Sequence, residues 1–341
     1  MITMKEIAAL ANVSQSTVSH ALHGRTGKMS KETLERVQRI IKESNYVANM
    51  TGRSLAKYGS KIIAVIKIEE RRRDYNMTHD PFFAEVIGII EHEVQIKGYF
   101  IMLYVSADVN ECIRMAKSWN VEGMIIHGSN ADGCAQFMKN STIPLVFLDS
   151  YFHNDGLPYV NIGLDDRQGG YDITKYLIRQ GHKKIAFLAD IQEPIGDYLA
   201  RREGCQKALK DFGLQFTPDD YISISTNYRK RHEDIRNFAR NKLHRYTALF
   251  FVSDFLAADA ISIFHDEGIR VPHDVSVCGF DDNIYALQTR PRLTTIHQDV
   301  PLKVHYAVQY VLRMIHKEPF ESRQISLPVS LIIRDSVKKL N

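Results

Sequence analysis

Residues 12–22 read NVSQSTVSHAL, and how this run folds decides what the first domain is. It reads as a short helix that Ser14 can cap, because a serine hydroxyl there accepts from a free N–H of the first turn. Only Val13, Val18, Ala21 and Leu22 can face a core. The leading end carries Ser14, Gln15, Ser16, Thr17 and Ser19, all small or polar and none charged. A helix whose first turn is made of hydrogen-bonding groups is built to meet a hydrogen-bonding partner.

The flanks supply two more helices. Thr3 followed by Glu6 is a capping box, which starts a helix near Met4. Ile7, Leu10 and Ala11 are its expected apolar face, and Asn12-Val13 its turn into the second helix. Ser30 caps a third helix, in which Leu34, Val37, Ile40 and Ile41 recur at the spacing of one buried face, with Tyr46 closing the core. Two short helices joined by a tight turn, with a third behind, form a helix-turn-helix. In that arrangement Gln15, Ser16 and His20 point away from the Val18/Leu22 face and reach base edges. Ser14, Thr17, Ser19 and His23 are placed for phosphates. The alternative is a polar surface helix in an unrelated three-helix domain.

Charge separates the head from the rest. Residues 1–61 hold ten Lys or Arg against four Glu and no Asp, a surplus of six in a chain whose total is +4, so the remainder stands at −2. A basic head on a near-neutral body suits a polyanion such as double-stranded DNA. At 341 residues, with 44% hydrophobic and 25% charged residues, the chain reads as an ordinary globular protein of two or three domains. No run approaches the roughly 18 to 20 apolar residues of a membrane span, and MITMKEIAAL is no secretory leader. Cys112, Cys134, Cys205 and Cys278 lie far apart without a CxxC pair, which fits a reducing cytoplasm.

Beyond residue 61 the pattern alternates. IIAVIKI (62–68), YFIMLYV (99–105), GMIIHG (123–128) and PLVFLD (144–149) are strand-like runs separated by helical spacing, as in residues 82–98. The rhythm resumes with KIAFLA, YISIS, ALFFV and VSVCGF. Two α/β blocks of this kind imply doubly wound parallel sheets, with a ligand cleft beyond the carboxyl ends of the strands.

The strings MKEIAALANVSQSTVSHAL, SKETLERVQRIIKESNYVAN and GRSLA, followed in order by DPFFAEV, GHKKIAFL, RREG, GFDD, PRLTTIHQDV and LPVSLIIRDS, resemble the landmarks of the LacI/GalR (lactose-repressor) family of bacterial transcription regulators. The resemblance implies an all-α helix-turn-helix head at 1–47, a hinge at 48–60 and a periplasmic-binding-protein-like body at 61–341. It places the N-subdomain at about 61–162 and 293–322 and the C-subdomain at about 163–292 and 323–341. By the same resemblance Leu55 is a wedge for the minor groove, which unstacks a base step and bends the duplex; a packing contact between domains is its other reading. Gly52 weakens the hinge helix by about 1 kcal/mol relative to alanine. Effector positions map to Phe82, Phe83, Asp149, Arg201, Tyr228, Ser253 and Asp281. Carboxylates accept from vicinal hydroxyls, arginine donates through a planar fork, and aromatic rings cover the apolar face of a sugar. Phe82 and Phe83 also read as core, and the two aspartates as strand-end turns.

The departures bear on specificity. His20 stands where the family usually has Arg, and His23 where it has Asn. The loop GRTGKMS is a residue longer and lacks a proline, Gly52 replaces a common alanine, and Ser253 replaces a common Asn. The expected ligand is a sugar or sugar derivative, with a purine as the other class, and the direction of the response stays open. No cofactor and no metal is expected. GRTGKM fails as a phosphate-binding loop, since Leu22 and Met29 stand where glycine and Ser/Thr are needed. Arg71-Arg72-Arg73 reads as a solvated loop. GxSxG, HExxH and complete GxGxxG motifs are absent, which leaves an enzyme without a motif. A solute-binding module whose head no longer binds DNA is the remaining alternative.

A homodimer is expected, because two heads are needed to read a near-palindromic operator. After Arg334 the segment DSVKKLN is too short for a tetramerising coiled coil. Sedimentation equilibrium should give a dominant species of twice the 39.1 kDa chain mass; a dominant species of four chains contradicts the expectation.

Overall fold

The computed structural model describes residues 2–22, 27, 29–44, 46, 59–69, 80–150, 159–319 and 324–340. Residues 1–60 and 61–341 form two units. His23, the hinge residues Gly52 and Leu55, and the run 71–73 lie outside the described residues.

The head holds three helices: α1 (Met4–Leu10), α2 (Gln15–Leu22) and α3 (Lys31–Glu43). Local chemistry starts each one. Thr3 Oγ1 accepts from Glu6 N at 3.3 Å while Glu6 Oε2 accepts from Thr3 N at 2.7 Å, closing the capping box. Ser14 Oγ accepts from Thr17 N at 3.1 Å, and Ser30 Oγ from Thr33 N at 3.2 Å. Asn12 takes φ +49 in the turn between α1 and α2, a backbone region that asparagine tolerates. Ile7, Ala8, Ala11, Val18, Ala21 and Val37 form the core. Leu10 is 64% exposed, against the expected apolar face of α1. So short a helix, packed between α2 and α3, buries one stripe, and Leu10 falls on the far side of Ile7 from Ala8.

The body is built on two parallel sheets. The first contains β1 (Ile62–Ile68), β2 (Phe100–Ser106), β3 (Gly123–His127), β4 (Leu145–Leu148), β5 (Asn161–Leu164) and β11 (Gln324–Leu327), in the order β11-β5-β4-β3-β1-β2. Helices α4 (Pro81–Gln95) and α12 (Val300–Ile315) share one apolar layer with it; α5 (Val109–Ser118) and α6 (Ala131–Asn140) share another. Covered on both faces, β1 is apolar along nearly its whole length, as parallel sheets require. The second sheet contains β6 (Ile185–Ala189), β7 (Tyr221–Ser223), β8 (Ala248–Phe251) and β9 (Ser276–Cys278), in the order β7-β6-β8-β9. It is flanked by α7 (Asp166–Arg179), α8 (Gly196–Asp211), α9 (Tyr228–Asn241), α10 (Asp254–Asp266) and the short α11 (Ile284–Gln288). An antiparallel pair, β10 (Thr295–Gln298) with β12 (Val329–Ile332), joins the two lobes.

The crossings fall a few residues later than the sequence placed them. The chain leaves the first sheet after Leu164, returns with α12 at Val300, and leaves again after Leu327. Gln324–Leu327 therefore belongs to the first lobe, not to a second-lobe segment at 323–341. Pro328 stands between the strand that pairs with β5 and the strand that pairs with β10.

Helices α7 and α8 touch backbone to backbone. A Cβ on Gly170 would run into the carbonyl oxygen of Arg201, and one on Gly204 into that of Arg167. This approach sets where α8 carries Arg201. Gly204→Ala should lower the unfolding free energy by about 1–3 kcal/mol through overpacking, measured by urea denaturation. An unchanged midpoint would mean the helices separate freely.

Candidate functional sites: the recognition helix and the cleft

In the head, Val18 and Ala21 are buried, and the opposite face of α2 presents Gln15, Ser16 and His20 to solvent. Ser14 and Ser16 hydroxyls lie 2.6 Å apart, and Ser14 and Thr17 hydroxyls 2.8 Å apart, so three hydroxyls cluster at the N-terminus of the helix. Ser14 is exposed, while Thr17 and Ser19 are half-buried. Free N–H groups, hydroxyls and the positive end of the helix dipole together suit a phosphate.

In the body, a cleft of about 460 Å³ opens between the lobes. Its walls come from the carboxyl ends of strands in both sheets. Lys67 belongs to β1, His127 ends β3, and Asp149 follows β4; Asp190 follows β6, and Ser253 lies just beyond β8. Asp281 lies just past β9, and Gln298 ends β10. Such strand ends are where open α/β sheets leave a crevice. Asp149 and Asp281 hold φ values of +50 and +117, conformations non-glycine residues seldom adopt. The second is over-determined: its N–H donates to Ile296 O at 2.8 Å, and its carboxylate accepts from Gln298 Nε2 at 2.8 Å.

Arg201 organises the second-lobe wall. Its Nε donates to Asp166 at 2.7 Å and its Nη1 to Val252 O at 2.8 Å, with the guanidinium over the Phe280 ring at 3.7 Å. Asp197 and Asp281 each lie 3.6 Å from it. Arg201 is thus a structural ion-pair centre as well as a residue of the cleft wall. Burial pushes Asp281 up to about 7, with Arg201 pulling down and Asp80 and Asp197 pushing up. Partial burial in the cleft wall also raises Asp197, whose side chain is 37% exposed, against the pull of Arg201 and with Asp166 and Asp149 adding to the rise. Asp254 is held well above the usual carboxylate range by burial and then by Asp281; it accepts from Thr295 Oγ1 at 2.6 Å.

Five of the seven residues mapped to the ligand site line the cleft: Phe82, Asp149, Arg201, Ser253 and Asp281. Ser253 also caps α10. Phe83 does not line it. It is fully buried, with Lys67 Nζ 4.2 Å from its ring centre and the His127 ring at 5.6 Å, and so supports those two cleft residues from behind. Tyr228 does not line it either. It opens α9 after the Asn227 cap, its ring falls onto His232 one turn on at 4.1 Å, and it is half exposed. Thr226 faces the cleft instead. Sequence reasoning missed Lys67, Asp80, His127, Asp190, Asp197 and Gln298. Asp197 was within reach, since it stands one helical turn before Arg201 and so shares its face.

Residues 3–49 match the family described as "Bacterial regulatory proteins, lacI family", and residues 174–337 match the periplasmic binding protein-like domain. The whole chain aligns with the whole of the HTH-type transcriptional repressor PurR of Haemophilus influenzae (strain PittEE) at 31% identity. The chain belongs to the lacI family. It is a DNA-binding transcription regulator with a ligand-binding body, not an enzyme. A second PurR, from Histophilus somni (strain 129Pt), is 30% identical with full coverage of both chains. The lac repressor dimer bound to operator and the anti-inducer ONPF has the same fold, with a TM-score of 0.83 at 23% identity over 99% of each chain. A complex of the regulator CelR with cellobiose gives a TM-score of 0.71 at 24% identity, over 98% of this chain and 100% of that one. Among the described residues no helix is long and apolar enough to cross a membrane.

The raised carboxyls fix a pH dependence. A group whose folded-state pKa is raised contributes stability that is present below its unfolded value and lost as pH rises through the folded one. The ligand-free protein should therefore lose stability as pH rises from the ordinary aspartate value of 3.8 to about 7, where Asp281 ionises. Asp281→Asn should flatten that slope in thermal melts across the range. Parallel slopes for the two proteins would contradict the assignment.

Proposed function

We propose that this chain is a repressor that binds a near-palindromic operator as a homodimer, and that a small uncharged polyhydroxylated ligand in the cleft sets its operator affinity. Gln15, Ser16 and His20 read base edges, Ser14, Thr17, Ser19 and His23 hold phosphates, and Leu55 enters the minor groove. The cleft's charge carries the ligand reading. Seven carboxylates line it (Glu69, Asp80, Asp149, Asp190, Glu193, Asp197 and Asp281) against Lys67 and Arg201 as the only Lys or Arg among the described lining residues. Both cations already face carboxylates, Lys67 at Asp80 and Arg201 at Asp166. A phosphorylated or carboxylated ligand would find both of these cations already matched by carboxylates. A sugar offers hydroxyl donors to the carboxylates and an apolar face to Phe82 or Phe255. A purine is the second reading, favoured by the relatives named PurR.

Two assays test this. Operator selection from randomised DNA, followed by gel shift, should yield a two-fold symmetric site. Gln15→Ala should change the preferred bases while leaving affinity for random DNA within about twofold; equal loss on both would refute base readout. Thermal melts with ribose, cellobiose, hypoxanthine and glucose 6-phosphate test the cleft. A neutral sugar should raise the melting temperature of the wild type, since a ligand at a hundred times its Kd adds about 2.7 kcal/mol, and should do so less for Asp197→Asn. Stabilisation by hypoxanthine alone would move the assignment to the purine, and stabilisation by the sugar phosphate would overturn the charge argument.

A further inference from the structure

Lys303 is a lysine with no exposed surface, on α12 of the first lobe. It interrupts an apolar stripe of Val300, Val304, Ala307, Val308 and Val311. Its ammonium has three donors, and each has a partner. Nζ lies 2.9 and 2.8 Å from the two carboxylate oxygens of Asp149 and 2.9 Å from Gln298 Oε1. The Phe82 ring centre is 5.0 Å away.

Gln298 carries the arrangement across the cleft. It is 3% exposed and ends β10, where the lobes join. With Oε1 held by the ammonium, its amide nitrogen turns outward and donates to Asp281 Oδ1 at 2.8 Å. The orientation of that amide follows from the charge on each side: an ammonium takes only an acceptor, and a carboxylate prefers a donor. Asp149 of the first lobe is thereby joined to Asp281 of the second through one lysine and one glutamine. Asp281 also faces Arg201 at 3.6 Å, with Asp80, Asp197 and the underlying Asp254 as its other charged neighbours.

We propose that Lys303 is a positioning residue for ligand recognition: by fixing Asp149 and orienting the Gln298 amide, it presets the carboxylates of both cleft walls as one unit. This rests on the reading of the cleft as the ligand site. Lys303 compensates the charge of Asp149 from behind and leaves the outward lone pairs of that carboxylate for ligand hydroxyls. It also makes the separation of Asp149 and Asp281 a property of the lobe junction, so that a lobe movement changes the geometry a ligand meets.

The test uses the full-length, ligand-free protein, so its outcome is independent of whether any sugar or purine binds. Carbon-13 NMR of labelled aspartate carboxyls follows the titration of Asp281, assigned through Asp281→Asn. Lys303→Met alone strands a buried carboxylate and can fail to fold. The double variant Lys303→Met/Asp149→Asn removes one charge of each sign and leaves none unpaired. In it, the Gln298 amide is no longer oriented, and the Asp281 midpoint should rise by about one pH unit, the scale of one hydrogen bond to a charged group. Gln298→Met should give the same rise with Lys303 and Asp149 intact. An Asp281 midpoint unmoved in the double variant overturns the proposal and reduces Lys303 to local packing. A rise in the double variant without one in Gln298→Met overturns the relay through Gln298.

Discussion

The guanidinium of Arg201 sits almost entirely out of water between Asp166, Asp197 and Asp281, and the second-lobe wall of the cleft is arranged around it. A charge in such a place must be matched, because stranding one member of a buried pair costs about 3–5 kcal/mol. Asp166, itself 1% exposed at the start of α7, provides the tightest match. The glycine contact between α7 and α8 brings that carboxylate and that guanidinium together, so helix packing and cleft electrostatics are one constraint. The consequence for function is a double duty. Arg201 cannot be removed to probe ligand binding alone, since its loss also strands Asp166; the exposed-side partner Asp197 is the cleaner probe.

The same logic extends to the first lobe, where a lysine answers Asp149 as Arg201 answers Asp166. Both walls thus present carboxylates whose charge is partly met from behind. What remains facing the cleft is acceptor capacity in surplus over fixed positive charge. Under the proposed function, that surplus suits ligands that donate hydrogen bonds.

Much of this was legible in the sequence where the cause is local. The Thr3/Glu6 box and the Ser30 cap act over three residues, so reading them needs no tertiary information. The parallel sheets followed from short apolar runs alternating with helical spacing. The convergence of His127, Asp190 and Gln298 was not legible, because strand order decides which strand ends meet, and order is not written in any one strand. Phe83 and Tyr228 failed for a related reason. On α4 the helix turns Phe83 about 100° from Phe82 and into the core, while Tyr228 starts α9 beyond the cleft-lining Thr226 and its ring settles on His232. Lys303 left a visible trace, a cation in an apolar stripe at helical spacing; its partners could not be named without the fold.

In a lacI-family regulator the head and the cleft matter together only if each senses the other's occupant. A ligand shifts operator affinity only by as much as its own affinity differs between the DNA-bound and free forms, and the effect is reciprocal. The most direct measurement is the affinity of the cleft's ligand with and without saturating operator, by calorimetry on the full chain. The account predicts a ratio in the range of about 5 to 150, and the same ratio for operator affinity with and without ligand. A ligand that occupies the cleft with equal affinity in both conditions would contradict it.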